Sequence, residues 1–193
     1  MSFRKTIAIL GVLLASATCC FAQKVGIKSN LLMDATLNPT IGLEVALSRH
    51  WTFDANYQIN AWNIHDRKLK HYIISPSFRW WFCERFQGSF WSIHALGGQF
   101  NMGNIPTDLK FLGTDFGKLR NNRYEGWGAG AGISYGYAWP LAKHWNMEFE
   151  IGVGWAYIKY KEYPCGECGT LKSRGHHNYV GPTKLGLNLE YLF

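Results

Sequence analysis

Eight antiparallel strands closed into an all-β, up-and-down barrel are what this sequence predicts, and three observations predict it. Apolar residues alternate with small or polar ones almost from end to end, at period two, and no 3.6-residue apolar stripe competes. The alternating segments number eight. The composition is that of β-structure: 193 residues with 21 Gly, 16% aromatic and only 17% charged residues. A hydrophobic share of 47% excludes a disordered chain. Beyond the N-terminus no segment offers the ~20 unbroken apolar residues of a spanning helix, which excludes a helical membrane protein.

The first element is an export signal. Residues 1–22 begin with Arg4 and Lys5, continue through the apolar run from Thr6 to Ala15, and end on Cys20-Phe21-Ala22. That order is charged, then apolar, then small-x-Ala, so cleavage is expected after Ala22. An uncleaved anchor would need a longer apolar core. Acylation at Cys19 or Cys20 would need a small residue just before the cysteine. Loss of Arg4 and Lys5, with no acidic residue, lowers the formal net charge from +7 to +5. A modest basic bias without a basic run points to anionic lipid or polysaccharide, and to no nucleic acid.

The strands follow near 24–33, 40–48, 51–62, 71–82, 90–101, 124–138, 145–158 and 179–193. The sixth opposes Trp127, Ala129, Ala131, Ile133, Tyr135 and Tyr137 to a face of Gly and Ser. The seventh opposes Trp145, Met147, Phe149, Ile151, Val153, Trp155 and Tyr157 to Asn146, Glu148, Glu150, Gly152 and Gly154. The eighth opposes Leu185, Leu187, Leu189, Tyr191 and Phe193 to Lys184, Gly186, Asn188 and Glu190. These strands reach the ~9–11 residues that cross a bilayer at a tilt. The connections measure about 6, 2, 8, 7, 22, 6 and 20 residues. Short periplasmic turns alternating with long extracellular loops are the pattern of a transmembrane barrel.

A soluble ligand-binding barrel has the same period with its faces reversed. Three features favour the membrane form. The polar face is rich in small residues, as a narrow lumen requires. Aromatics gather in two belts: Trp51, Trp80, Trp91, Trp139 and Trp145 near the short turns, and Trp62, Tyr72, Trp127, Trp155 and Tyr179 near the long loops. The chain ends with Leu189, Tyr191 and Phe193 in alternation, a signal of the kind read by the outer-membrane insertion machinery. Lys28, Glu44, Asp54, Arg79, Glu148, Glu150, Lys184 and Glu190 fall on the lumen face and are expected to form a salt-bridge network. A carboxylate-lined ion path is the alternative, although eight strands leave room for little more than side chains. Residues 48–54 (Ser-Arg-His-Trp-Thr-Phe-Asp) also resemble residues 142–148 (Ala-Lys-His-Trp-Asn-Met-Glu), each a short turn entering a strand.

Several segments together, among them Lys28-Ser29-Asn30-Leu31-Leu32-Met33-Asp34, Arg79-Trp80-Trp81-Phe82-Cys83, His94-Ala95-Leu96-Gly97-Gly98 and Gly181-Pro182-Thr183-Lys184, resemble an uncharacterised family of Bacteroidota outer-membrane barrels, a domain of unknown function. The resemblance covers nearly the whole mature chain. It implies an outer-membrane location in a Gram-negative bacterium and no reaction. Members are often encoded near fimbrial or surface proteins, which implies a role at the cell surface.

Four candidate sites remain. Cys165-Gly166-Glu167-Cys168 reads as a short disulfide in an exposed loop, or with His176 and His177 as a zinc site, or as free thiols. Cys83 falls in a periplasmic turn as an odd thiol. Ser92 and His94 with Glu148 or Glu150 are candidates for a lipid-modifying enzyme, at a spacing that is not diagnostic. The loops 101–123 and 159–178, with Phe111, Leu112, Lys118, Arg120 and Arg123, are long and partly apolar, as docking loops are. The expectation is a structural or interaction protein at the cell surface. No cofactor is expected; the expected partners are outer-membrane lipid and lipopolysaccharide, the insertion machinery, and a surface or fimbrial protein.

Overall fold

The computed structural model describes residues 25–61, 63–64, 67–103, 110–111, 114–115, 122–164 and 170–193. The expected export signal, residues 1–22, and Cys165 and Cys168 lie outside the described residues. Eight long strands are present: β1 (Val25–Asn30), β2 (Thr40–Ala46), β3 (Trp51–Asn60), β4 (Arg67–Trp81), β5 (Gly88–Gly103), β6 (Arg123–Pro140), β7 (Trp145–Tyr163) and β8 (Ser173–Leu192). Each pairs antiparallel with the next, and β8 pairs back onto β1, so the sheet is one closed ring. Closure leaves no edge where all eight strands are present. No described helix is long and apolar enough to cross a membrane.

The ring is uneven. The strands β1 to β3 have 6, 7 and 10 residues, whereas β4 to β8 have 15 to 20. The first strand stops at Asn30, short of Met33, because Asn30 caps a one-turn helix, α1 (Leu31–Ala35), by accepting from the backbone N–H of Leu32. The same side chain replaces the next rung of the β1–β8 ladder. Its Nδ2 donates to the Leu185 carbonyl at 3.1 Å and its Oδ1 accepts from the Leu187 N–H at 3.3 Å. Asp34 then ties α1 to β2, accepting from Ser29 and from the Thr40 N–H.

At the long-loop end the strands run further than expected. Residues 159–163 and 173–178 belong to β7 and β8, and 102–103 to β5, so the connections shrink to 104–122 and 164–172. Cross-strand aromatic pairs carry the ladder upward past the apolar alternation: Tyr124–Tyr160, Trp127–Tyr157 and Tyr157–His176, with ring centroids 5.5, 6.0 and 5.8 Å apart. Within the loop after β5, Lys110–Phe111 pairs with Thr114–Asp115.

One bulge resets the face of β8. Gly152 pairs with Lys184 while Val153 pairs with Pro182, leaving Thr183 as the extra residue. Above it every side chain changes face, so Val180 points outward at 69% exposure. Tyr179, assigned to the outer belt by simple alternation, instead shares the lumen face with Ala156. Pro182 sits at this irregularity, where a ladder donor is not required.

The repeat at 48–54 and 142–148 is a repeated turn. Leu47 and Ser48 donate to the Trp51 carbonyl as Leu141 and Ala142 donate to that of Trp145. In both turns the histidine clamps the end of the neighbouring strand. The carbonyls of His50 and His144 accept from the N–H groups of Trp81 and Leu192, and their Nδ1 atoms donate back to the carbonyls of those residues at 3.2 and 2.8 Å.

The faces are inverted relative to a water-soluble barrel. Among the described residues sixteen polar or charged side chains are buried against six apolar ones, while the large apolar residues cover the outside. The apolar core is a plug at the short-turn end: Trp81 and Phe90 are fully buried, with ring centroids 4.6 Å apart, and Phe86 packs against Trp81. Phe86 holds φ at 65°, a left-handed conformation costly for a bulky residue, and this turns its ring into the plug. Gly136 leaves space for it, because a Cβ there would lie 2.7 Å from Phe90 Cε1.

Candidate functional site

Immediately above the plug, the register brings together residues from six strands: Lys28, Glu44, Asp54, Arg79, Glu148, Glu150, Lys184 and Glu190. Strand alternation aims all eight inward, and Lys184 is the most exposed of them, its side chain at 12%. Arg79 is the hub. Its Nη1 lies 2.7 Å from both Glu44 Oε2 and Glu148 Oε2, and its Nη2 lies 2.5 Å from Glu150 Oε2 and 3.3 Å from Asp54 Oδ2. The guanidinium lies 4.6 Å from the centroid of the Phe90 ring, so the plug supports the hub. Lys28 bridges Glu44 and Asp54, each at 2.8 Å, and Lys184 reaches Glu150 at 3.0 Å.

Neutral donors complete the set. Thr52 donates to Glu44 at 2.5 Å, Ser77 to Asp54 at 3.0 Å, Ser134 to Glu150 at 2.6 Å and Asn188 to Glu148 at 2.8 Å. Trp81 Nε1 in turn donates to Thr52 at 3.0 Å, joining plug and network. None of these neutral members was singled out in the sequence, although each lies on the lumen face by parity. Short polar residues at such positions are the signal that could have found them.

Glu190 differs from its neighbours. Its carboxylate is buried with neither oxygen hydrogen-bonded, and it lies over Gly26, whose absent Cβ leaves the space. Oxygens of Glu44, Glu148 and Glu190 fall within 4.8 Å of one another. Two of these three carboxylates already hold Lys28 and Arg79, so an added cation would meet two resident ones. The group therefore works as part of an ionic core and makes a poor metal cage.

The enzyme candidates are placed differently from the expectation. The Ser92 hydroxyl has no hydrogen-bond partner among the described residues, whereas His94 Nε2 lies 2.8 Å from Thr183 Oγ1 at the bulge. On the other side His94 Nδ1 is 3.5 Å from Ser134 Oγ, which donates to Glu150. This hydroxyl, imidazole, hydroxyl and carboxylate row can relay a proton within the lumen.

At the long-loop end the lumen opens into a cavity of about 680 Å³, lined by Asn60, His71, Phe100, Gly126 and Tyr160 among others. Arg123 of the expected docking set opens β6, its guanidinium 4.5 Å from the Tyr163 ring centroid. Phe111 lies in the small ladder of the loop; Leu112, Lys118 and Arg120 lie outside the described residues. His176 and His177 are strand neighbours in β8 and so project to opposite faces, while Cys165 and Cys168, which the sequence grouped with them, lie outside the described residues. Cys83 is an exposed free thiol in the turn after β4. Leu189, Tyr191 and Phe193 line the outside of the short-turn end, where Tyr191 meets Trp145 and Phe193 edge to face at 5.1 and 5.0 Å.

No curated protein and no solved structure matches the chain. A family model described as a protein of unknown function, DUF3575, matches residues 7–193, a span that takes in every strand of the ring and all eight members of the ionic core. The chain belongs to that family.

Proposed function

We propose that the chain is an outer-membrane β-barrel of a Gram-negative bacterium of the Bacteroidota, exported through residues 1–22 and acting at the cell surface as a structural or interaction protein. The observation that carries this reading is the inversion of the faces: ionic core inside, large apolar residues outside. In water such a surface would drive aggregation, and in a bilayer it is the solvent-matched face. Exposed Trp51, Trp80, Trp91, Trp139 and Trp145 ring the short-turn end, and Tyr72, Trp127 and Trp155 ring the other. From Trp145 to Trp155 is ten residues of β7; at ~3.3 Å each and a ~40° tilt this rises about 25 Å, the height of an outer-membrane apolar band.

A lumen sealed by Trp81, Phe86 and Phe90 and filled by the Arg79 network supports a scaffold over a channel. The long-loop end, with its open cavity and the connections 104–122 and 164–172, is the docking end for a surface protein of fimbrial type. Deleting Phe111 to Lys118 is expected to abolish co-purification of that partner and to leave the heat-dependent gel shift of the folded barrel unchanged. A partner retained by the deletion variant would overturn the docking role. A wild-type chain recovered with soluble periplasmic protein would overturn the location.

A further inference from the structure

The register of β4 to β8 places a row of unneutralised cations on the outer wall just beyond the upper aromatic belt. Across adjacent strands Tyr72, Gln99, Trp127, Lys159 and His176 stand side by side, and the next outward row is Lys70, Asn101, Glu125, Lys161 and Arg174. Lys161 therefore lies directly opposite Arg174, and Lys159 directly opposite His176. Lys70, Lys159, Lys161 and Arg174 are all exposed, and none of them forms an ion pair among the described residues. Among the described residues these four cations thus share one neighbouring carboxylate in the row, that of Glu125. Like charges directly opposite on one face destabilise a sheet, so this arrangement works against the fold unless an anion joins it.

The position selects the anion. Resting on the membrane reading above, Trp127 and Trp155 mark the boundary of the apolar band, and Lys161 and Arg174 lie one outward-facing pair, about 7 Å along the strand, beyond the Trp127 row. That is the depth of lipid headgroup phosphates, within reach of long cationic side chains whose stems lie along the wall. At the opposite end Arg49 is matched by Glu84 at 3.0 Å, and the other two cations, Arg85 and Lys143, stand in the turns and form no row on the strand wall.

We propose that Lys159, Lys161 and Arg174 on the outer wall of β7 and β8, assisted by Lys70, form a binding site for the phosphate groups of a phosphorylated lipid in the leaflet at the long-loop end. The site fixes how deep the barrel sits and orients the docking end away from the bilayer.

The test uses the full mature chain folded into phosphatidylcholine nanodiscs, with and without diphosphorylated lipid A. Insertion is scored first by the heat-dependent gel shift, and lipid A retained per barrel is then counted by native mass spectrometry. Wild type should retain lipid A. The variant K159Q/K161Q/R174Q should retain about tenfold less, while R85Q/K143Q, at the short-turn end, should match wild type. In phosphatidylcholine alone the triple variant should melt at or above the wild-type temperature, because it relieves the like-charge pairs; lipid A should raise the melting temperature of wild type only. Equal retention by wild type and the triple variant, or equal retention of dephosphorylated lipid A, overturns the site while the membrane reading stands. A chain that never inserts overturns both.

Discussion

The two halves of this ring solve the same problem, a narrow lumen, in opposite ways. At the short-turn end all eight strands are present, and the interior is a stack of aromatic plug and ionic core in which Arg79 alone contacts four carboxylates. At the long-loop end β1 to β3 have ended, the tall wall of β4 to β8 continues, and the interior is a cavity with paired aromatics at its margin. Stability and binding capacity are thereby separated. The plug and the ionic core are confined to the closed half, and the open half holds the cavity. Buried charge is costly unless paired and hydrogen-bonded, and a complete ring provides enough inward positions to satisfy it.

The largest expected effect breaks the closed half at its hub. Arg79→Met would leave Glu44, Asp54, Glu148 and Glu150 sharing only Lys28 and Lys184, and should cost about 3–5 kcal/mol in urea unfolding of the detergent-folded barrel. A loss under 1 kcal/mol would mean the network is hydrated and loosely held. The open half should be far more tolerant. Tyr160→Ala removes the ring against Tyr124 and should cost about 1 kcal/mol, read in the same unfolding series. A loss equal to that of Arg79→Met would dissolve the distinction between the halves.

The smallest expected change sharpens the comparison inside the core. Glu190→Gln keeps the shape and removes a buried carboxylate that has no hydrogen bond. It should be neutral or stabilising by up to about 1 kcal/mol, in contrast with Glu148→Gln at a carboxylate held by Arg79 and Asn188. A clear destabilisation by Glu190→Gln would show that its negative charge is needed to balance Lys28 and Arg79.

Much of the closed half was legible in the chain because a strand has a strict period of two. Once seven or eight segments alternate, parity alone sends Lys28, Asp54, Arg79 and Glu148 to one face and Trp51, Phe78, Trp91 and Phe149 to the other. The same parity failed at Tyr179, since Gly181-Pro182-Thr183-Lys184 hides a bulge that shifts every later assignment by one. It failed at Asn30 too, where a polar side chain replaces a backbone rung and starts a helix. Extensions of β7 and β8 through residues 159–163 and 173–178 were invisible because their stabilisation comes from partners across the sheet, as with Tyr157 stacked on His176. Residues in the candidate network divide the same way: the charged members stand out by type, while Thr52, Ser134 and Asn188 become recognisable only beside the carboxylates they serve.

By itself, then, the sequence determined which side chains face inward and outward wherever no bulge intervenes, the number of strands and the presence of charge of both signs on the inner face, because these depend only on local alternation. The tertiary structure decided which carboxylate meets which cation, where the wall ends, and which cations stand opposite one another at the upper rim. Those outcomes depend on closure and stagger between strands remote in sequence, and a single bulge at Thr183 alters them without changing the composition of any segment.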